Sequence, residues 1–349
     1  MQVSNSSEMR VPRTAPFIAP LADGVERPIW SVVVPLYNSL EYLESTLRSV
    51  LIQDPGIDKM EIIVVDDCST DGDVAVFVEQ VGKGRIRYHR HKENIGLLRN
   101  FEACINLSKG HYIHMLHGDD VVMEGFYDEI LSLFNDYPTI GAAFTEFEYI
   151  DKNGNKLWDN TPVSSQRGIL ENWLDTIAEN QRLQFCSKVV KRSTYEKVGS
   201  FYGSLFAQDW IMWVKIAAYF QVAYSPKVLA RYRRIDGNST ASNMRSGKNF
   251  ENTLECLSIL SEFIPAERRA KVVQKAKIKV AENHAQWAHN IYHEYHDVRS
   301  AINQVIKSLK LHTNFKVIWY SGMLFLKVVI GYDKLKQIPL LFSFNEKSK

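Results

Sequence analysis

"WSVVVPLYN", residues 30–38, runs straight into "SLEYLESTLRSVL", residues 39–51, and this pair decides the fold class. The first run is short, β-branched and stopped by Pro35, the pattern of a buried strand. In the second, Leu40, Leu43, Leu47 and Val50 recur at steps of three and four, which predicts an amphipathic helix with Ser39 at its N-cap. The same unit then repeats. "MEIIVVDDCSTDGD" (60–73) reads as a buried strand ending in acids and turn formers, and "VAVFVEQV" after it as a short helix. "RIRYHRH" (85–91) is a third strand, "NIGLLRNFEACINLSKG" (94–110) a helix closing at Gly110, and "HYIHMLHGDD" a fourth strand. Four alternations predict an α/β protein, Rossmann-like, with a mostly parallel sheet and helices on both faces. Ligands of such sheets bind beyond the carboxyl ends of the strands. Tyr37–Asn38, Asp66–Asp67 and Asp119–Asp120 all fall at strand ends, so three strands deliver polar groups to one edge.

This pattern extends over residues 29–245. "IGAAFTEFEYID" (140–151) and "VAYSPKVLARYRR" read as further strands, "NWLDTIAEN", "RSTYEKVG" and "AQDWIMWVKIAAYF" as helices, and "IDGNST" (235–240) as a polar loop. Residues 1–28 are Pro-rich and aperiodic, and read as a flexible tail. Residues 246–349 change to helix only, with an antiparallel helix pair expected from Val273 to Leu309. "FKVIWYSGMLFLKVVIGY" (315–332) is apolar nearly all round but interrupted by Lys327. It reads either as a core helix or as a peripheral membrane contact with its lysines at the headgroups.

The composition, 45% hydrophobic and 23% charged over 349 residues, supports a sizeable core and excludes wholesale disorder. A net charge of +2 implies no nucleic-acid partner, although residues 265–349 hold fifteen Lys/Arg against six Asp/Glu. That surplus suits either a solvated helix face or an anionic surface. Four scattered cysteines form neither a zinc pattern nor a disulfide framework, and a cytoplasmic location is expected.

The turn after the first strand, "VVPLYN", is no dinucleotide fingerprint, and no P-loop occurs. A bound diphosphate would then need a bridging cation, for which Asp119 and Asp120 offer hard oxygen ligands; an ordinary acidic turn is the alternative. His289 and His293 are four apart, but "HEYH" lacks the second spacer residue of the H-E-x-x-H zinc pattern. Asp209 lies in the first turn of its helix, where it either caps or acts as a general base.

Taken together, "VVVPLYN", "VVDDCSTDGD", "NIGLLRN", "LHGDDVV", "AQDWIMWVKIA" and "YRRIDGNST" resemble glycosyltransferase family 2, of GT-A fold, over residues 30–240. The resemblance implies inverting transfer from a nucleotide sugar, a UDP- or dTDP-sugar, to a glycan or lipid-linked acceptor, in bacterial surface polysaccharide assembly. It places Pro35, Tyr37 and Asp67 around the nucleoside, and Asn94 and Arg99 along the donor pocket. Asp119 matches the acid that holds a divalent cation, Mn²⁺ or Mg²⁺, across the diphosphate. Asp209 matches the catalytic base, and Arg233 or Arg234 meets the leaving group. Three positions depart from the family pattern: His117 replaces the first acid of D-x-D, Gln208 replaces the Glu before the base, and Ile235 replaces a histidine that completes the metal shell. A scaffold that keeps the fold and binds nucleotide or a partner protein is the alternative reading, and His117 is its main support.

Overall fold

The computed structural model describes residues 10–235 and 248–330. They form two compact units: the chain up to 177 with 181–235, and 178–180 with the chain beyond 235.

In the first unit β1 (Trp30–Leu36), α1 (Leu40–Leu51), β2 (Met60–Asp66), α2 (Val74–Gly82), β3 (Arg87–Arg90), α3 (Leu97–Leu107) and β4 (Tyr112–Met115) follow one another as the periodicity predicts. β1 lies between β2 and β4, β3 flanks β2, and all these pairings are parallel. Val32, Val34 and Leu36 of β1 share one core with Ile62 and Val64 of β2, Leu43, Leu47 and Val50 of α1, and Val74 and Val78 of α2. Val33, Ile63 and Val65 point to the opposite face and are fully buried there. The helix α3 lies against β1 and β2, with Leu98, Phe101, Cys104 and Ile105 buried.

Beyond β4 the sheet becomes mixed. The elements are β5 (Val121–Val122), α4 (Phe126–Asp136), β6 (Ala142–Ile150), β7 (Lys156–Asp159), β8 (Gly168–Ile169) and α5 (Trp173–Glu179). A single 3-10 turn (Phe185–Ser187), β9 (Lys188–Lys191), α6 (Arg192–Val198), α7 (Gln208–Tyr219) and β10 (Val222–Arg233) complete the unit. β9 enters antiparallel between β4 and β6, and β10 runs parallel to β6 while pairing antiparallel with β5. The last pairing brings the end of β10 beside the turn after β4.

Three local expectations are corrected. Ser39 makes no side-chain cap on α1; Asp71 takes the Leu40 amide at 2.8 Å instead. α3 ends at Leu107, ahead of Gly110. Gly110 is required for a different reason, since a Cβ there would sit 2.5 Å from the Ser31 amide nitrogen. The third concerns the flexible tail, because residues 10–28 lie against the body. Ile18 is fully buried, the Ser200 and Gly203 amides donate to the carbonyls of Pro16 and Pro12, and the Arg192 guanidinium donates to that of Ala19. Prolines remove backbone donors but leave the carbonyls, so an aperiodic Pro-rich strip can still be tied down along a surface.

The second unit contains α8 (Lys248–Ser261), α9 (Ala266–Tyr295), α10 (Val298–Leu311) and α11 (Phe315–Ile330). α10 folds back on α9, so that Ile291 shares a cluster with Ala301 while His284, two turns earlier, meets Gln304 at 2.9 Å. Ala288 on α9 belongs to the same cluster, while Ala281 and Ala285 cluster with Val317 of α11. On α11, Lys327 is only 6% exposed, with its ammonium 3.2 Å from His289 Nδ1 and 2.9 Å from His293 Nε2. Lys327 therefore does not reach outward as expected of a headgroup lysine. Phe315, Ile318, Phe325 and Val329 are the exposed apolar residues of this helix.

Candidate active site

The carboxyl ends of β1, β2 and β4 are neighbours, as the strand order requires. The turn after β4 is the most heavily built of the three. Gly118 passes so close to β1 that a Cβ would lie 2.7 Å from Leu36 Cδ1. The Asp120 amide closes the turn on the His117 carbonyl at 3.1 Å, and Thr46 Oγ1 donates to the Asp120 carbonyl at 2.8 Å. The His117 ring is stacked on Phe185 at 4.3 Å. One ligand atom from each of His117, Asp119 and Asp120 lies within 4.8 Å of the others. His117 Nε2 and Asp120 Oδ2 are buried without hydrogen-bond partners among the described residues. Unpartnered polar atoms in such a cluster are what a divalent cation satisfies. Burial, helped by the charge of Lys188, pushes the His117 imidazole down to about 3, so it stays neutral and able to ligate. Burial raises the Asp119 carboxyl to about 6. It raises that of Asp120 further, with the charge of Asp119 adding to the effect.

Arg233 does not present a free guanidinium to a ligand. Its Nε donates to the Asp119 carbonyl at 2.7 Å, its Nη1 to those of Asp151 and Lys152 at 3.1 and 3.0 Å, and its Nη2 to Ser45 Oγ at 3.2 Å. Its own amide donates to Asp120 Oδ1 at 3.0 Å. Arg233, 4% exposed, is thus a clamp that sets the acidic turn against α1 and the β6–β7 turn. Sequence spacing cannot distinguish such a clamp from a phosphate ligand.

Asp209 enters from α7. The preceding Ala207 takes a left-handed conformation (φ 62) without capping the helix, which turns the chain sharply ahead of the base candidate. The Asp209 carboxylate accepts from Gln181 Nε2 and from the Trp210 amide. Burial raises its pKa, opposed first by the positive charge of Lys188.

Lys188 is the residue that sequence reasoning missed. It opens β9, and its ammonium is buried without a hydrogen-bond acceptor, 3.3 Å from the ring centre of Trp213 and 4.2 Å from that of Phe185. Burial drives its pKa well below the ordinary lysine value, opposed by the charges of Asp209, Cys186 and Asp120. The same ammonium thus lies over Phe185, on which His117 of the acidic turn is stacked, and over Trp213, one turn along α7 from Asp209. A lysine heading the apolar run "KVV" was the available signal.

At the nucleoside end, Tyr37 is half exposed just past β1, and Pro35 is buried within that strand. Both oxygens of Asp67 are engaged by the amides of Ile95 and Gly96, at 2.7 and 3.0 Å. Asn94 Nδ2 donates to the Asp67 carbonyl at 3.1 Å, and Arg10 donates to the Asn94 carbonyl at 2.7 Å. Asp67 and Asn94 are thus brought together, with Asp67 bracing the 94–96 turn. Arg99 pairs with Glu102 on α3 at 2.7 Å. Asp236 and the remainder of the polar loop lie outside the described residues.

Residues 31–199 match the model of the family described as glycosyl transferase family 2. An uncharacterized protein of Mycobacterium tuberculosis is 36% identical over 118 residues, covering 34% of this chain and 36% of that protein. An uncharacterized glycosyltransferase of Rickettsia bellii is 27% identical over 241 residues, covering 68% of this chain and 33% of that protein. The chain thus spans about a third of the length of these curated relatives. Among solved structures, S. aureus TarS in complex with UDP-GlcNAc aligns with a TM-score of 0.60 at 14% identity, covering 87% of this chain and 88% of that one. The mannosyltransferase PcManGT of Pyrobaculum calidifontis, in complex with GDP-Man and Mn²⁺, aligns with a TM-score of 0.54 at 16% identity, covering 94% and 87%. These likenesses show a shared GT-A fold, and residues 31–199 form a domain that matches glycosyl transferase family 2.

Proposed function

We propose that the chain transfers a glycosyl group, with inversion, from a nucleoside diphosphate sugar to an acceptor hydroxyl. The observation that carries this reading is the aromatic seat of Lys188, whose Phe185 ring stacks on His117 of the acidic turn and whose Trp213 ring stands one helical turn from Asp209, in a domain matching this family. An acceptor hydroxyl is a weak nucleophile at neutral pH. Asp209 takes its proton as the oxygen bonds to the anomeric carbon, while the bond from that carbon to the diphosphate breaks on the opposite face. A base whose pKa is raised by burial is better matched to this task than a solvated carboxylate. No enzyme nucleophile is needed for a single inversion. His117, Asp119 and Asp120 would hold a divalent cation, Mn²⁺ or Mg²⁺, which when bound neutralises charge on the donor diphosphate. Pro35, Tyr37, Asp67, Asn94 and Arg99 surround the nucleoside end in this reading, with Asp67 offering its remaining lone pairs. The nucleotide sugars bound by the two structural neighbours support this donor class.

A lipid-linked acceptor in surface polysaccharide assembly fits the exposed apolar residues of α11 and the basic surplus of the C-terminal region. No described helix is long and apolar enough to cross a membrane, so this contact is peripheral.

The test is release of nucleoside diphosphate from a panel of UDP-, GDP-, dTDP- and CDP-sugars with Mn²⁺, by the wild type and by Asp209→Asn. The wild type turns over one donor, and the variant binds it with an unchanged dissociation constant while losing transfer. Donor binding without any release by the wild type would favour the scaffold reading. Unchanged turnover in the variant would remove Asp209 as base.

A further inference from the structure

We propose that Lys188 is the positioning residue of Asp209: its ammonium, held on the faces of Trp213 and Phe185, fixes the neighbouring base as an aimed carboxylate. The inference rests on the reading of Asp209 as the base.

Three observations carry it. First, Lys188 Nζ is buried and has no hydrogen-bond acceptor. Burying an ammonium this way is among the most costly choices a core can make. Val189 and Val190, next along β9, fill the same sheet with aliphatic side chains, so packing alone does not call for a lysine. Second, the two ring faces attract the charged form of the amine and so work against the burial that lowers its pKa. Third, Trp213 lies one helical turn beyond Asp209 on α7. Side chains four apart on a helix share a face. The ring that seats the ammonium therefore moves rigidly with the base.

The charged surroundings are defined from each element. Acting on Lys188 are Asp209 from α7, Cys186 from the 3-10 turn and Asp120 from the turn after β4. Acting on Asp209 are the charge of Lys188 and the hydrogen bonds from Gln181 and the Trp210 amide. Among the described residues, the charge acting on the base is that of Lys188, and it is an opposite one. Between turnovers the acceptor's proton must leave Asp209, and a fixed cation beside the carboxylate favours that return to the ionised form.

The experiment follows the Asp209 carboxyl directly. Full-length protein labelled with carboxyl-¹³C aspartate is titrated by NMR, and the Asp209 resonance is assigned by its loss in Asp209→Asn. In Lys188→Met the Asp209 titration moves up by about one pH unit or more, and Lys188→Arg returns it to near the wild-type position. Lys188→Gln, which keeps a polar tip, gives the same upward move and serves where the Met variant does not fold. With the donor selected by the panel, turnover of Lys188→Met at pH 7 falls by about tenfold, with KM changed less than about twofold. An unmoved Asp209 titration in a folded Lys188 variant would overturn the proposal. The NMR readout does not depend on turnover. Activity retained by Asp209→Asn would therefore sink the base assignment while leaving the titration result to judge the Lys188–Asp209 link on its own.

Discussion

Replacing Arg233 with methionine separates two roles that a glycosyltransferase arginine can play. As a clamp, its guanidinium makes four hydrogen bonds, to the carbonyls of Asp119, Asp151 and Lys152 and to Ser45 Oγ. It is 4% exposed, so solvent screening offers little discount. Hydrogen bonds from a charged donor contribute about 1.5 kcal/mol each at the low end of their range, which gives about 6 kcal/mol if the four simply add. Shared geometry and partial rehydration of the freed carbonyls reduce this to about 3–4 kcal/mol. For a unit of this size, that corresponds to a fall of about 10 °C in Tm. Thermal unfolding followed by circular dichroism reads the effect, with Arg234→Met as a control expected to change stability by less than about 1 kcal/mol. The acidic turn loses its brace in the same variant, so Mn²⁺ affinity falls with stability. A variant that melts with the wild type yet no longer transfers sugar would refute the clamp and return Arg233 to the donor's leaving group.

His114 ties pH to stability. It is fully buried, 3.1 Å from the Tyr127 hydroxyl and 3.2 Å from the Cys186 carbonyl, and burial pushes its imidazole down to about 3. The folded state thus binds its proton less readily than the unfolded chain, and stability is lost as pH falls below the ordinary histidine value of about 6.5. Between pH 7.5 and 5 the stability advantage of wild type over His114→Gln shrinks by about 2 kcal/mol, read from urea midpoints at each pH; a constant difference would mean that the imidazole titrates alike in the folded and unfolded chain. At the other end of the chain, replacing Phe315 and Phe325 with serine should abolish flotation with anionic vesicles without lowering Tm. Equal flotation of wild type and variant would remove α11 as the lipid contact.

The first half of the fold was legible because each strand and helix carries its own period. β1 and β2 are buried along nearly their whole lengths, as their unbroken β-branched runs predict, and α1 and α3 bury the three-or-four-spaced residues that the sequence displays. The insertion of β9 was not legible. "KVVK" is only four residues long, and its partners β4 and β6 lie far away in the chain. The acidic turn and Asp209 were recognisable as chemistry-bearing residues, but their neighbourhood was not, because Lys188 and Arg233 act through contacts that no spacing encodes. His117 read as a lost ligand; a nitrogen of its ring lies within 4.8 Å of a carboxylate oxygen of each acid, and the ring is stacked on Phe185. The Pro-rich segment misled because hydrogen bonds to its carbonyls leave no periodic trace.

The most direct test of the account is a crystal structure with Mn²⁺ and a non-hydrolysable analogue of the selected donor, using the anomalous signal of manganese to locate the ion. The account predicts manganese among His117, Asp119 and Asp120, the diphosphate on that ion, and the Asp209 carboxylate facing the anomeric carbon from the side opposite the leaving group. Manganese elsewhere, or Asp209 on the same side as the diphosphate, would contradict it.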